Sequence, residues 1–100
     1  MSCSVIFSSK AAKEIHESFV WYEEQTKGLG HQFIEIIDFA IELIKHNPDG
    51  FPNKRNSYRE AVLKRFPYII VYEHLEAEQV IFVLHIFHTK RHPKKKYKFD

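Results

Sequence analysis

Residues 58–88 read YREAVLKRFPYIIVYEHLEAEQVIFVLHIFH, and the order of side chains in this stretch decides the fold. Three runs, YREAVLKR, PYIIVYEH and QVIFVLHIFH, are short and rich in β-branched and aromatic residues, which fit a pleated sheet better than the turn of a helix. The connections between them, Phe66-Pro67 and then Leu75 to Glu78, are brief, so a three-stranded antiparallel meander is predicted. Pro67 opens its strand, where a missing N–H does least harm. The last run, Val80 to His88, is apolar at nearly every position rather than at alternate ones, and both of its faces therefore call for cover.

Upstream the period changes from two to about 3.6. Phe33, Ile36, Ile37, Ala40, Ile41 and Ile44 form one apolar stripe, with Glu35, Asp38, Glu42 and Lys45 off it, as an amphipathic helix requires. NPDG (47–50) ends that helix, because proline cannot continue the hydrogen-bond ladder. Before it, Ala11, Ile15, Phe19 and Tyr22 mark another helix that runs to about Gln25, with Ser8 or Ser9 as its N-cap. Gly28 and Gly30 in TKGLG permit the reversal between the two helices. SVIF (4–7) is a short strand. The order is β-α-α-β-β-β: an α+β fold in which an antiparallel helical hairpin lies on one face of a small, mainly antiparallel sheet. Residues 1–100 are expected to form a single domain, with a basic tail from about residue 89.

One hundred residues, 44% of them hydrophobic, suffice for one compact core. They leave little depth for a large internal cavity, which disfavours a small-molecule enzyme. No apolar run is long enough for a membrane span and no secretory signal pattern is present, so a soluble, cytoplasmic protein is expected. Cys3 is the single cysteine and is assigned no role. Charge is uneven: residues 1–50 carry four Lys/Arg against eight Asp/Glu, and residues 51–100 carry eleven against five. Lys90, Arg91, Lys94, Lys95, Lys96 and Lys98 crowd the end of the chain, the pattern of a docking site for a polyanion or acidic partner and equally that of a solvated tail. Two helices shield one face of the sheet. The other is predicted to form an apolar trough bordered by Arg59, Arg65 and the terminal lysines, open to another macromolecule.

His85, His88 and His92 do not make a metal site, since residues three apart on a strand point to opposite faces. Glu14 and Glu17 are expected to stay in water, and Trp21 and Tyr22 to pack within the helical hairpin. There is no nucleophile motif, no phosphate-cradling glycine loop and no ligand cluster. Any chemistry would rest on Arg, Lys, His and Tyr, a set suited to gripping a phosphodiester and assisting attack by a ribose 2′-hydroxyl. His88, leaving the sheet just before Lys90 and Arg91, is the acid–base candidate.

WYEEQTKGLGHQF, IKHNPDGFP, YREAVLKRFPYIIVYEH and the closing IFHTKRHPKK, in this order of elements, resemble the RelE/ParE superfamily of toxins from bacterial type II toxin–antitoxin modules, from Val5 to about Lys96. The resemblance implies a toxin neutralised by a cognate antitoxin protein that wraps its sheet and groove, in a homodimer or a toxin–antitoxin hetero-oligomer, with no cofactor, no metal and no membrane. It implies one of two targets. ParE-like members inhibit DNA gyrase, whereas RelE-like members enter the ribosome and cut mRNA without a metal. The RNA-cutting branch usually has an arginine after the aromatic that opens the middle meander strand; here Ile69 follows Tyr68. The gyrase branch is therefore favoured, with Arg59, Arg65, Lys90, Arg91 and Lys94 binding the target or antitoxin. In the nuclease alternative, His88 or Tyr97 moves protons while Arg65 and Arg91 stabilise the phosphorane, and Lys54 and Arg55 hold RNA.

Overall fold

The structure, a computed structural model, describes residues 3–90. Its elements are β1 (Ser4–Phe7), α1 (Ser9–Gln25), α2 (Leu29–His46), β2 (Asn53–Arg55), β3 (Tyr58–Val62), β4 (Tyr68–Leu75) and β5 (Val80–His88). They form a five-stranded sheet in the order β1-β5-β4-β3-β2, in which β1 runs parallel to β5 and every other pairing is antiparallel. The predicted hairpin-on-sheet architecture is present. Two details differ from the sequence reading. β2 is an additional edge strand, three polar, exposed residues that pair with β3. β3 ends at Val62 rather than Arg65, because Leu63 and Phe66 both turn inward and are buried at 6% and 7% exposure. The turn between them places Arg65 at φ 72°, a left-handed conformation that costs a non-glycine residue energy.

Ser8 joins β1 to α1. Its N–H donates to the Val83 carbonyl at 2.9 Å, its hydroxyl donates to the Leu84 carbonyl at 2.8 Å, and the same oxygen accepts the Ala11 N–H at 3.0 Å. One serine thus finishes the strand ladder and caps the helix. Leu84 is an extra residue in β5: Val71 pairs with His85 while Tyr72 pairs with Val83, leaving Leu84 without a partner in the β4 register. This bulge shifts the alternation by one. Ile81 and Val83 before it, and Ile86 after it, all reach the core under the helices.

That core contains Phe33, Ile37, Ile41 and Ile44 from α2, Ile70 and Tyr72 from β4, and Ile81, Val83 and Ile86 from β5. Each full burial of a side chain this size contributes about 1.5–3 kcal/mol before entropy is set against it. An aromatic ladder extends the core towards one end of the sheet, with ring centroids 5.0 Å apart for Tyr22 and Phe66, 5.3 Å for Phe33 and Phe66, and 5.1 Å for Phe33 and Tyr68.

The second face of the sheet is apolar as expected but is not bare at its centre. Val71, His85 and Phe87 are 0%, 4% and 4% exposed, and the exposed apolar side chains Ile6 and Val62 lie on its outer strands β1 and β3. Glu60, also on this face opposite Val71, is buried as well. Among the described residues no helix is long and apolar enough to cross a membrane.

The two glycines of the helical turn act differently. Gly28 takes φ 89° and supplies the reversal. Gly30 lies inside α2, where a Cβ would meet the Phe19 carbonyl oxygen at 2.6 Å and Glu23 Cγ at 2.7 Å. Its lack of a side chain lets the helices approach. Gly28 has no side chain to cap α2, and Glu23 of α1 does so from a distance. Its carboxylate accepts the N–H groups of Gly28 at 3.1 Å, Gly30 at 2.9 Å and His31 at 3.4 Å, at the positive end of the α2 dipole. The Gly28 N–H first, then those of His31 and Gly30, hold the Glu23 carboxyl below its ordinary 4.5.

Gly30→Ala is expected to destabilise the fold by about 1–3 kcal/mol in urea titration, since a backbone oxygen cannot yield cheaply to a methyl. Glu23 contributes stability that is fully present above pH 4.5 and is lost as pH falls through its depressed folded value. Glu23→Gln should therefore melt below the wild type near about pH 7, and the gap between the two melting temperatures should narrow as pH is lowered from 4.5 through the depressed folded value.

Candidate functional site

β1 pairs with β5 only as far as Val83, so among the described residues the edge of β5 from Leu84 to His88 has no neighbouring strand. Helix α1 lies along this edge. Glu14 reaches down from it: Oε1 accepts the Ile86 N–H at 2.8 Å and faces His85 Nδ1 at 2.8 Å, with Oε2 at 2.6 Å from the same nitrogen. The carboxylate replaces the strand that the edge lacks. Glu14 is consequently drawn out of water, to 12% side-chain exposure, contrary to expectation.

Beyond Glu14 the helix and the edge diverge and leave a groove of about 350 Å³, within the size range of ligand pockets. Glu14, Glu17, Ser18, Trp21 and Tyr22 line it from α1, Tyr68 from β4, and Ile86, His88 and Lys90 from β5 and the residues after it. Trp21 is 56% exposed, so it is a groove wall and not the hairpin packing residue its neighbours suggested. Tyr22, by contrast, is packed as expected. The Tyr68 hydroxyl donates to Ser18 Oγ at 3.0 Å, and burial together with the adjoining Tyr68 hydroxyl pushes the Tyr22 phenol up to about 12. Tyr22 is thus not arranged to give up a proton at neutral pH.

His88 and Lys90, two predicted site residues, meet in this groove. The bulge at Leu84 brings His88 to the helix side, where its ring stands edge-on to Tyr68 at 5.0 Å. The Lys90 N–H donates to His88 Nδ1 at 3.1 Å. Since a backbone N–H can only donate, Nδ1 must be the unprotonated nitrogen and Nε2 carries the hydrogen of the neutral ring.

Two of the three predicted arginines are directed elsewhere. Arg65 donates to Gln32 Oε1 on α2 at 2.8 Å and lies 5.9 Å from the centre of the Phe66 ring. Arg59 holds the loop that follows α2, donating to the carbonyls of Phe51 at 2.7 Å and Asp49 at 3.2 Å, with the Asp49 carboxylate at 3.7 Å. Tyr72 fastens the same loop through its hydroxyl to the Pro48 carbonyl at 2.5 Å, and burial pushes its phenol up to about 12. Arg91, Lys94 and Tyr97 lie outside the described residues.

The groove wall was visible in the sequence only as a spacing: Glu14, Ser18 and Trp21 recur at i, i+4, i+7 on one side of α1, next to the apolar stripe. The arrangement is built to bind. It offers an aromatic wall, a carboxylate from Glu17, an ammonium from Lys90 and an oriented imidazole.

This hairpin on a mixed sheet is shared with solved toxins. A chromosomal ParDE toxin–antitoxin system from P. aeruginosa superposes with TM-score 0.75 at 16% identity, over 89% of this chain and 98% of that one. The RelBE2 toxin–antitoxin complex of Mycobacterium tuberculosis gives 0.63 at 16% identity, over 88% and 99%. A mutant E. coli toxin RelE in the free state gives 0.60 at 18% identity, over 90% and 86%. No curated protein matches the chain. The fold is thus that of the RelE/ParE toxins. The model of the ParE toxin of type II toxin–antitoxin system, parDE, matches residues 5–93, and the chain belongs to that family.

Arg59→Ala is expected to lower stability by about 1–2 kcal/mol, because two loop carbonyls lose a charged donor at a partly shielded site. Lys90→Ala, at an exposed position, should stay within about 0.5 kcal/mol. Urea unfolding of the two variants checks the contrast.

Proposed function

We propose that this toxin acts in the cytoplasm on DNA gyrase, as a ParE-like inhibitor without nuclease chemistry, and that a cognate antitoxin neutralises it by laying a segment along the groove between α1 and the β5 edge and around the sheet. The observation that carries the choice of target is the use made of the meander arginines. Cleaving RNA requires cations converging on one phosphate beside an acid–base group. Arg59 is instead engaged with the carbonyls of the 47–52 loop and Arg65 with Gln32, while His88 faces the helix-side groove. Ile69 occupies the place after Tyr68 where the RNA-cutting branch has its arginine. The groove itself suits a peptide: Trp21 and Tyr68 give apolar contact, and Glu17 and Lys90 give charges of both signs for orientation. Inhibition would then be a binding event on a macromolecular surface, and the neutralised assembly with antitoxin a hetero-oligomer.

Expression in a bacterial host should arrest growth, and purified protein should block supercoiling by gyrase in vitro, with co-expressed antitoxin reversing both. Unimpaired supercoiling together with codon-positioned mRNA cuts in primer extension, abolished by Arg91→Ala, would instead assign the chain to the ribosome-dependent nucleases.

A further inference from the structure

Cys3, to which the sequence gives no role, is partly exposed just before β1. Its Sγ lies 3.8 Å from Nε2 of His74 on β4. The other ring nitrogen, His74 Nδ1, lies 2.9 Å from Oδ1 of Asp49 in the loop after α2. Three segments remote in sequence thus place a thiol, an imidazole and a carboxylate in one line. The sheet register accounts for the meeting. Val5 pairs with Ile81 and Ile81 with His74, so His74 and Val5 share the helix side of the sheet at one level, and Cys3, two residues before Val5, shares that side too.

Each group holds the next in a defined state. The hydrogen bond from His74 first, and the Arg59 guanidinium after it, keep the Asp49 carboxyl below its ordinary range, so it is an acceptor and Nδ1 carries the donated hydrogen. Nε2 of the neutral ring therefore presents its lone pair to the thiol. His74 is shielded, with 13% of its side chain exposed, and Asp49 is anchored by Arg59 at 3.7 Å. A nucleophile in reach of a base that is itself oriented by a third group is the arrangement that activates cysteine.

We infer that Cys3 is an activated thiol that exchanges with low-molecular-weight disulfides, a covalent modification site separate from the α1–β5 groove. As Sγ attacks one sulfur of the disulfide, His74 Nε2 takes the thiol proton. The new Cys3 S–S bond forms while the reagent's S–S bond breaks, and the departing thiolate receives that proton and leaves as a free thiol. The Cys3 sulfur is oxidised and the departing sulfur reduced, so the disulfide is the only oxidant required.

The chain has one cysteine, so the reaction with dithiobis(nitrobenzoate) reports this thiol alone, and Cys3→Ser provides the blank. A partly covered thiol without assistance reacts more slowly in the folded protein than in the unfolded chain, which makes the direction diagnostic. The native protein is expected to react at least about tenfold faster than the same protein unfolded in urea, and His74→Gln should bring the native rate down to the unfolded one. A native wild-type rate at or below the unfolded rate overturns the assignment, whatever the variant's fold. So does a fast rate that survives His74→Gln with wild-type circular dichroism.

Discussion

The end of the sheet that carries the groove is organised by the hydrogen bonds of Ser8. The backbone N–H closes the β1–β5 ladder at Val83, and the hydroxyl both holds the carbonyl of the bulge residue Leu84 and caps α1. A strand that continued past this point would have paired with the rest of β5 and filled its edge. Because the chain turns into a helix here, the edge passes to α1, and side chains rather than backbone must satisfy it. Glu14 does so at Ile86. Further along, Trp21 of α1 and the Tyr68–His88 ring pair of the sheet line the groove. The groove is thus a consequence of where one serine stops a four-residue strand.

Charge in this molecule is used internally more than its distribution along the sequence suggests. Glu23 caps α2 in place of the glycine that starts it. Arg59 and Tyr72 tie the loop after α2 to the sheet, and Arg65 ties the β3–β4 turn to Gln32 of α2. These contacts hold the helical hairpin and the meander together at their polar margins, where hydrophobic packing fades. They also engage both arginines of the meander region, Arg59 and Arg65, within the fold.

The architecture was legible from residue period alone. The α2 stripe from Phe33 to Ile44 and the β-branched runs of β4 and β5 state their own secondary structure, and short connections left little choice of topology. β2 was not legible, because Asn53–Arg55 has neither apolar alternation nor β-branched residues; it is a strand only because β3 lies beside it. The early end of β3 was hidden for a related reason, since Leu63 and Phe66 bend the chain to reach a core that no local pattern announces. His88 and Lys90 were singled out in the sequence at and just after the end of the last strand, but the helix-side groove they line was not. Nor were the places of Trp21 and Glu14, because their exposure and burial depend on how far α1 stands from an edge whose existence the sequence does not declare. The signs of Arg59 and Arg65 were plain, but their partners come from distant loops.

The parallel pairing of β1 with β5 has a consequence in time. Ser4 finds its place only against Val80, and contacts between such distant positions form late, after local elements have condensed. During synthesis β1 emerges early and has nothing to join while both helices and most of the meander are made. The junction of Ser8 with β5 and the carboxylate bridge from Glu14 both wait for the last strand. A nascent toxin of this design cannot present its finished groove until nearly its whole described length has left the ribosome, a built-in delay between translation and the capacity to engage any partner.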